Sequence, residues 1–551
     1  MSILSTLQEQ LELLLSVPLK TLVSPAFYST ENGKAVAATL AVTGVTLLLL
    51  KKIFFPALSF REDFVIEPLP KFKTVGKKTG VDMELKHVPN LVAEMRASYN
   101  TGHTLPLAKR LETLKAMQRM LTENEDRIVA ALKEDLSRPK FEATIYDVLM
   151  PAAEIKEMIK HLAAWAAPEQ FGFHLLTWPS TQWLQKEPLG VVLVIGSWNY
   201  PIMLSMCPVA AAVAAGNTVI LKPCNVSSAC SRLQAELLAE YVDPAVVSCV
   251  GPGIKGDRHT TAALLEERFD HIFFTGSPDV GKVIAAGAAK HLTPCTLELG
   301  GKNPVFVDKS ADVSLAAKRT LWGRNMNAGQ QCVSPDFVLC HEDVVDEFCE
   351  SAKGWLKTFF KNEDPKKSEN FGRIVGDGQV KRIQGMLKDH GGEVIVGGKV
   401  DPKTRYISPT VVKIDFDSPA LDDETFGPIL WVVPVKDMDE AIEWQAEREK
   451  PLSMYIFAND RVAQRICQNT SAGGVTINGV IFHCGHPDLP FGGIGNSGMG
   501  GYHGKASFDC FTHKKPVLSK SVWKDAGLLS DPFVLYAPWD DFKLNVMRTF
   551  F

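Results

Sequence analysis

Two alternating series of apolar runs dominate the chain after residue 189. In the first, GVVLVIG, NTVILKP, AVVSCVGP, HIFFTG and CTLELG are short runs of strand length, several of them rich in β-branched residues. Between them, PIMLSMCPVAAAVAAG, SSACSRLQAELLAEYV, GDRHTTAALLEERF and VGKVIAAGAAKH read as helices. Strands separated by crossover helices predict a parallel sheet with helices on both faces. The second series follows Asn303: PVFVDK, a long helix from Val313, DFVLCHE, ILWVVPV, MYIFAN and VTINGV. Residues 85–165 read as charged helices that form a covering layer. No internal repeat or low-complexity tract interrupts the pattern.

The first sixty residues follow another rule. From Ala35 to Leu50 the chain reads AVAATLAVTGVTLLLL without a charge, and Lys51 and Lys52 follow. A helix of that length spans about 24 Å, short of the ~30 Å hydrocarbon core. It reaches if the lysines snorkel and Ile53 to Phe55 continue the helix. A basic start and a small-residue cleavage site are missing, so a cleaved signal peptide fits badly. We expect a single N-terminal anchor, spanning or re-entrant; a surface or buried helix is the alternative. Lys51, Lys52 and Arg61 then place the rest of the chain in the cytoplasm. Leu4, Leu7, Leu11, Leu14 and Leu15 recur at helical spacing, which suits an interfacial helix or a dimer contact.

Composition narrows the class. A length of 551 residues exceeds one ordinary domain of ~150, and two α/β units account for most of it. With 46% hydrophobic and 22% charged residues the chain is globular rather than disordered. A net charge of −4 gives no basic surface for nucleic acid. The mean hydropathy of +0.01 excludes a multi-span transporter and leaves room for one membrane segment. Eleven cysteines without a C-x-x-C spacing argue against a disulfide framework and a zinc site, so no metal is expected. Scattered free thiols suit a reducing compartment.

Several residues carry candidate chemistry. GIGNSG, from Gly493 to Gly498, matches G-x-G-x-x-G, but Phe491-Gly492 precedes it and Met499-Gly500-Gly501 follows. Without a strand before it or a helix after it, it reads as a tight loop. Phe274-Thr275-Gly276-Ser277-Pro278 is the better phosphate turn: a strand ends at Thr275, and Pro278 suits the first turn of a helix. Lys222 closes the strand NTVILKP, where ligands bind in open α/β sheets; a solvated strand-end charge is the alternative. Cys332, in NMNAGQQCVSPDF, lies on a turn flanked by a glycine and two amides, where a thiol can be presented to a ligand. Most cysteines are instead small buried apolar groups. Glu298 is an acid inside an apolar strand end, LELGG. Desolvation there raises its pKa and makes it a usable general base.

GSWNYP at 196–201, FFTGSPDVGK at 273–282, LELGGKNP at 297–304, NAGQQC at 327–332, ETFGP at 424–428 and LPFGGIGNSGMGGYHGK at 489–505 occur in this order. Together they resemble the aldehyde dehydrogenase superfamily, and WGRNMNAGQQCVSPDFVLC and GMGGYHGK resemble its class 3 or fatty aldehyde dehydrogenase branch. The resemblance covers roughly residues 85–520. It implies an α/β fold with a Rossmann-type cofactor domain, an α/β catalytic domain and a small oligomerisation β-hairpin; the N-terminal membrane helix comes from our own reading. It also implies Cys332 as nucleophile, Asn199 as oxyanion donor and Glu298 as base. Glu424 and Phe426 match the nicotinamide-ribose positions, Gly276 and Ser277 the pyrophosphate turn, and Lys222 the adenosine ribose. Ser197, Trp198, Asn225, Val280, Gly281 and Leu299 complete the expected NAD or NADP site.

Two departures stand out. The family's K-P-[SA]-E reads Lys222-Pro223-Cys224-Asn225 here, which removes the carboxylate that repels a 2′-phosphate, so NADP is expected to be tolerated as well as NAD. The anchor, often C-terminal in this branch, is N-terminal here. The expected organisation is an anchor and linker at 1–84, an NAD(P)-binding domain at 85–300 with an oligomerisation hairpin near 166–189, and a catalytic domain at 301–475. A return segment with oligomerisation contacts and tail takes 476–551. The expected activity is NAD(P)-dependent oxidation of apolar, long-chain fatty aldehydes to acids. The enzyme is expected to be a homodimer at a membrane, on the endoplasmic reticulum, mitochondrial outer membrane or lipid droplet. Apocarotenal or other isoprenoid aldehyde oxidation, CoA acylation and a membrane-tethered scaffold are the alternatives.

Overall fold

The computed structural model describes residues 85–172, 180–251, 257–520 and 535–550. The expected anchor at 35–50 lies outside them. Among the described residues no helix is long and apolar enough to cross a membrane. The chain divides into two compact units. Among the described residues the larger takes 85–169, 184–251 and 257–517, and the smaller takes 170–172, 180–183, 518–520 and 535–550.

The larger unit carries two sheets. The six-stranded sheet runs Gly498–Met499, Cys295–Leu299, His271–Gly276, Val191–Ile195, Thr218–Lys222, Val247–Cys249. Its last five strands are parallel, as the alternating pattern predicts. The helices Met203–Ala215, Ser228–Tyr241, Asp257–Leu265 and Pro278–Ala289 lie between these strands in the chain. Val191–Ile195 is buried throughout because helices cover both faces of the sheet. Met203–Ala215 is buried along almost its whole length, and its run of alanines lets neighbours approach closely. Gly216 ends it at φ +96° with the Arg110 guanidinium 2.7 Å from where a Cβ would stand, so only glycine fits.

The seven-stranded sheet runs Glu393–Val396, Thr410–Lys413, Ile429–Val435, Pro335–His341, Asn303–Val307, Ser453–Phe457, Gly474–Ile477. Only its first strand is antiparallel. The sequence pattern identifies five of these strands; the edge strand Glu393–Val396 and its neighbour Thr410–Lys413 are four-residue pieces that it does not single out. The helices Leu107–Glu123, Glu125–Leu136 and Met150–Ala166 form the expected covering layer. Near the expected hairpin, Glu169–Gln170 and Thr181–Pro188 are strands, in one three-stranded sheet with Thr512–Ser519. In the smaller unit the helix Asp541–Phe550 exposes Phe542 and Leu544. All eleven cysteines are free.

Candidate active site

The six-stranded sheet defines an edge before any side chain is considered. From Val191–Ile195 the chain moves outward through Thr218–Lys222 and Val247–Cys249. It then returns to the other flank with His271–Gly276 and Cys295–Leu299. The strand order therefore reverses beside Val191–Ile195, and open α/β sheets bind ligands at such a switch point. Ile195 pairs with Lys222 and Phe274, and Gly276 with Leu299, so the following loops leave from one edge. Those loops carry Ser197, Trp198, Asn199, Asn225 and Ser277. The seven-stranded sheet meets them with the opposite polarity: Cys332 and Phe426 precede the strands at Pro335 and Ile429.

The cofactor residues named from the sequence gather along this edge. Lys222 is buried at its strand end rather than solvated. Asn225 sits in the loop between that strand and the next helix, partly exposed. A Cβ at Gly276 would come 2.3 Å from the Phe274 ring, and one at Gly281 2.7 Å from Leu299. These glycines let the turn and the helix Pro278–Ala289 pack tightly. Ser277 caps that helix, accepting from Val280 N. Val280 is 44% exposed, an apolar surface beside a helix N-terminus. Trp198 and Phe426 meet edge-to-face at 5.4 Å. A helix N-terminus, a lysine, an open apolar face and a ring pair fit the phosphate, ribose and ring parts of a dinucleotide. GIGNSG does form a tight turn: Gly495–Ser497 is one 3-10 turn, and Gly498 then pairs with Glu298.

Cys332 is held by a frame of hydrogen bonds to the backbone around it. Asn327, Ala328 and Gly329 are left-handed in succession, at φ +49°, +52° and +77°. A Cβ on Gly329 would press on Gly427 O at 2.1 Å. Asn327 Nδ2 donates to the carbonyls of Asn199 and Gln330, both at 3.0 Å. Gln330 Nε2 donates to Asn327 O and Arg373 O at 3.0 Å. The Cys332 carbonyl accepts from Asn303 Nδ2 at 2.7 Å, and Asn303 Oδ1 accepts from Ser453 N at 2.9 Å. Tyr455 Oη donates to Val333 O. Across the cleft, Asn199 Nδ2 donates to Gln330 O at 3.2 Å, and Tyr200 Oη to Gln331 Oε1 at 2.6 Å. One Asn199 amide hydrogen is engaged there; the second is left for another acceptor.

Three ionisable groups share the cleft. Burial holds Glu298 well above the usual carboxylate range. Burial, with Asp336 beside it, raises Glu424 to about 8, although the Gly301 N–H donates to it. The Cys332 side chain is partly accessible yet surrounded by protein. Burial, then Glu424 and Glu298, push its thiol up to about 12. The local field of the cofactor-free protein therefore favours the thiol, not the thiolate. Below that value the thiolate fraction grows about tenfold per pH unit. Iodoacetamide labelling of the Cys332 peptide, followed by mass spectrometry, is expected to keep accelerating from pH 7 to 10. A rate that levels off by pH 8 would contradict this environment.

Sequence reasoning missed the residues that brace the site. Arg138 is 2% exposed; it donates to Asp147, to Asn199 O and, at 3.2 Å, to Asn327 Oδ1. Arg382 holds the Glu424 and Thr425 carbonyls at 3.0 and 2.6 Å. Asp336 accepts from Thr425 N at 3.0 Å and lies 3.6 Å from both Lys302 and Arg324. Cys484 is a second thiol in the chamber, close enough for Cys332 to raise its pKa. The amide-rich NMNAGQQC was a visible signal for Asn327 and Gln330. Nothing local marked Arg138.

A half-buried thiol, one buried and one half-buried carboxyl and an amide across the cleft, set beside a dinucleotide-type edge, are the parts of an aldehyde-oxidising site. The model of the aldehyde dehydrogenase family matches residues 66–517, and the chain belongs to that family. Dimeric NADP-preferring aldehyde dehydrogenase of Canis lupus familiaris is 42% identical over 446 residues, 81% of this chain and 97% of that protein. Aldehyde dehydrogenase family 3 member A2 of Mus musculus is 43% identical over 433 residues, 78% and 88% of the two chains. The substrate-bound structure of Staphylococcus aureus AldH superposes with a TM-score of 0.80 at 35% identity, covering 84% of this chain and 99% of that one. The protein is an oxidoreductase acting on aldehydes, of the class 3 branch.

Proposed function

We propose that the protein oxidises apolar, long-chain fatty aldehydes to carboxylic acids through covalent catalysis at Cys332. The observation that carries the mechanism is the shared chamber: Cys332 on its braced loop, Asn199 across the cleft, and Glu298 buried with neither carboxyl oxygen hydrogen-bonded. The oxidant is NAD or NADP, which supplies the hydride acceptor when bound. Lys222, Gly276, Ser277, Val280, Glu424 and Phe426 would hold it, with Ser197, Trp198, Gly281 and Leu299 shaping the walls. Cys332 first gives up its thiol proton to water, and the thiolate then attacks the aldehyde carbon. The resulting oxyanion meets the free Asn199 amide hydrogen and the Cys332 N–H, donors worth a few kcal/mol each. Loss of hydride leaves a thioester on Cys332. Glu298 must lose its own proton before it takes one from water, so burial sets the pH at which hydrolysis begins.

The chain-length reading is supported by the apolar run at 35–50, which would bring the site to a membrane. Asn225 supports use of both cofactors, because a carboxylate there would repel a 2′-phosphate. An aldehyde panel from short to long chains, run with each cofactor and read at 340 nm, tests both points. kcat/KM is expected to rise with chain length, and NAD to be preferred over NADP by less than about a thousandfold, or ~4 kcal/mol. A short-chain optimum or a larger cofactor ratio would count against the respective reading. Carboxylate rather than acyl-CoA should be the product. We further propose a homodimer, by analogy with the dimeric relative.

A further inference from the structure

Three stretches of chain carry the thiol, the base and the ribose carboxylate, and one buried ion group ties them together. Asp336, 1% exposed, lies at the start of the strand that leads away from Cys332. Lys302 follows Glu298 in LELGGK. It lies 3.6 Å from Asp336 and donates to the Ala420 and Asp423 carbonyls at 2.9 and 2.8 Å, just before Glu424. Arg324, also 3.6 Å from Asp336, donates to Ser334 Oγ at 3.2 Å and to Pro335 O at 2.9 Å. The two cations compensate a carboxylate that is costly to bury alone.

Both oxygens of that carboxylate go to one residue. Thr425 N donates to Oδ2 at 3.0 Å and Thr425 Oγ1 to Oδ1, and Trp431 Nε1 donates to the same hydroxyl at 2.8 Å. Arg382 holds the Thr425 carbonyl at 2.6 Å. Thr425 is 0% exposed, so each of its polar groups is engaged within the protein. Its neighbours in the chain are Glu424 and Phe426. The Glu424 carboxyl lies against Gly300, where a Cβ would come 2.3 Å from Oε2. Phe426 is left-handed at φ +44°, a conformation that a bulky side chain keeps only where its surroundings enforce it. Its ring meets Trp198 edge-to-face at 5.4 Å.

We propose that Asp336 is a positioning residue for the nicotinamide half of the cofactor: by gripping Thr425 from the strand that leaves the Cys332 loop, it keeps Glu424 and Phe426 in place relative to the thiol. The inference rests on the reading of Glu424 and Phe426 as the residues that hold the nicotinamide ribose. A carboxylate suits the task because it offers only acceptors, and Thr425 offers it two donors. An asparagine has one acceptor oxygen and turns its NH2 towards the second donor. Lys222, Gly276 and Ser277 lie on the other sheet, so the adenosine and pyrophosphate end does not depend on this clamp.

Two reactions at one thiol test this. Hydrolysis of p-nitrophenyl acetate needs Cys332 but no cofactor: sulfur displaces p-nitrophenolate from the acetyl carbon, and water then releases acetate. Aldehyde oxidation needs the nicotinamide in place. Thr425→Val keeps the shape and the ion group and removes only the hydroxyl. At saturating cofactor it is expected to lower kcat for oxidation about tenfold, with ester hydrolysis within about twofold of wild type. In the cofactor-free enzyme, amide deuterium exchange of the 424–428 peptide should quicken about tenfold. Thr425→Ser, which restores the hydroxyl, should recover both. Asp336→Asn should shift the ratio of oxidation to ester hydrolysis in the same direction. A wild-type ratio in either Thr425→Val or Asp336→Asn overturns the proposal, whether both activities persist or both fall together. So does a Thr425→Ser enzyme no better than Thr425→Val. Glu424→Ala that oxidises aldehyde at the wild-type rate would instead overturn the reading of this loop as the ribose holder. Ester hydrolysis that persists in Cys332→Ala would sink covalent catalysis at that thiol.

Discussion

Replacing Cys332 with alanine is expected to lower aldehyde oxidation at least about a thousandfold, a barrier increase of ~4 kcal/mol. The loss should fall on kcat and leave cofactor affinity and the unfolding temperature near wild type. The reason lies in how the loop is held. Asn303 grips the Cys332 carbonyl, Tyr455 the Val333 carbonyl, and Asn327 and Gln330 the turn before them. None of these bonds uses the sulfur, so alanine removes chemistry without removing the frame. Cys484 is a poor substitute. Its Sγ lies 3.4 Å from His483 Nε2, and burial holds its thiol well above the ordinary range. Initial rates at 340 nm, cofactor titration by protein fluorescence and a thermal melt check the three parts. Activity within tenfold of wild type would defeat covalent catalysis at Cys332.

The second large effect is expected at a residue with no assigned part in the chemistry. Arg138→Met strips the partner from Asp147, which is 0% exposed. Removing one member of a buried ion pair costs about 3–5 kcal/mol, because the other charge is left uncompensated. Asp147 also accepts from Ile202 N at 3.0 Å and Met203 N at 3.1 Å, so the start of the helix behind Asn199 loosens with it. The guanidinium stands 4.4 Å over the Tyr200 ring and donates to the Asn199 carbonyl and to Asn327. Both walls of the cleft should shift, and activity should fall with stability. Arg138→Lys separates the two. An ammonium restores the charge next to Asp147, but it lacks the planar fork that reaches Asn199 and Asn327 together. The expected result is a melting temperature largely restored and a kcat still depressed. Equal recovery of both would show that charge alone matters at this position.

The parts that recur along the chain were legible in the amino-acid order. Five parallel strands of the six-stranded sheet and their crossover helices follow from apolar runs and their spacing, because burial on both faces demands them locally. So do five strands of the seven-stranded sheet. Lys222, Ser277 and Glu298 were marked by where they sit on those elements, at strand ends and a helix start. Cys332 was marked only by its unusual neighbours and by the ordered motifs. The strands Glu393–Val396 and Thr410–Lys413 were not singled out, since pieces of four residues carry little periodicity.

The thiol's raised pKa, the two unpartnered oxygens of Glu298 and the bracing by Arg138 could not be read that way. Each is a sum over groups far apart in the chain: Arg138 lies 61 residues from Asn199 and 189 from Asn327. Desolvation depends on everything packed around a group, not on the residues next to it in order. The order of residues therefore set which elements form and which side chains carry chemistry. Packing of the C-terminal edge of one sheet against the N-terminal edge of the other set how strongly those side chains hold their protons.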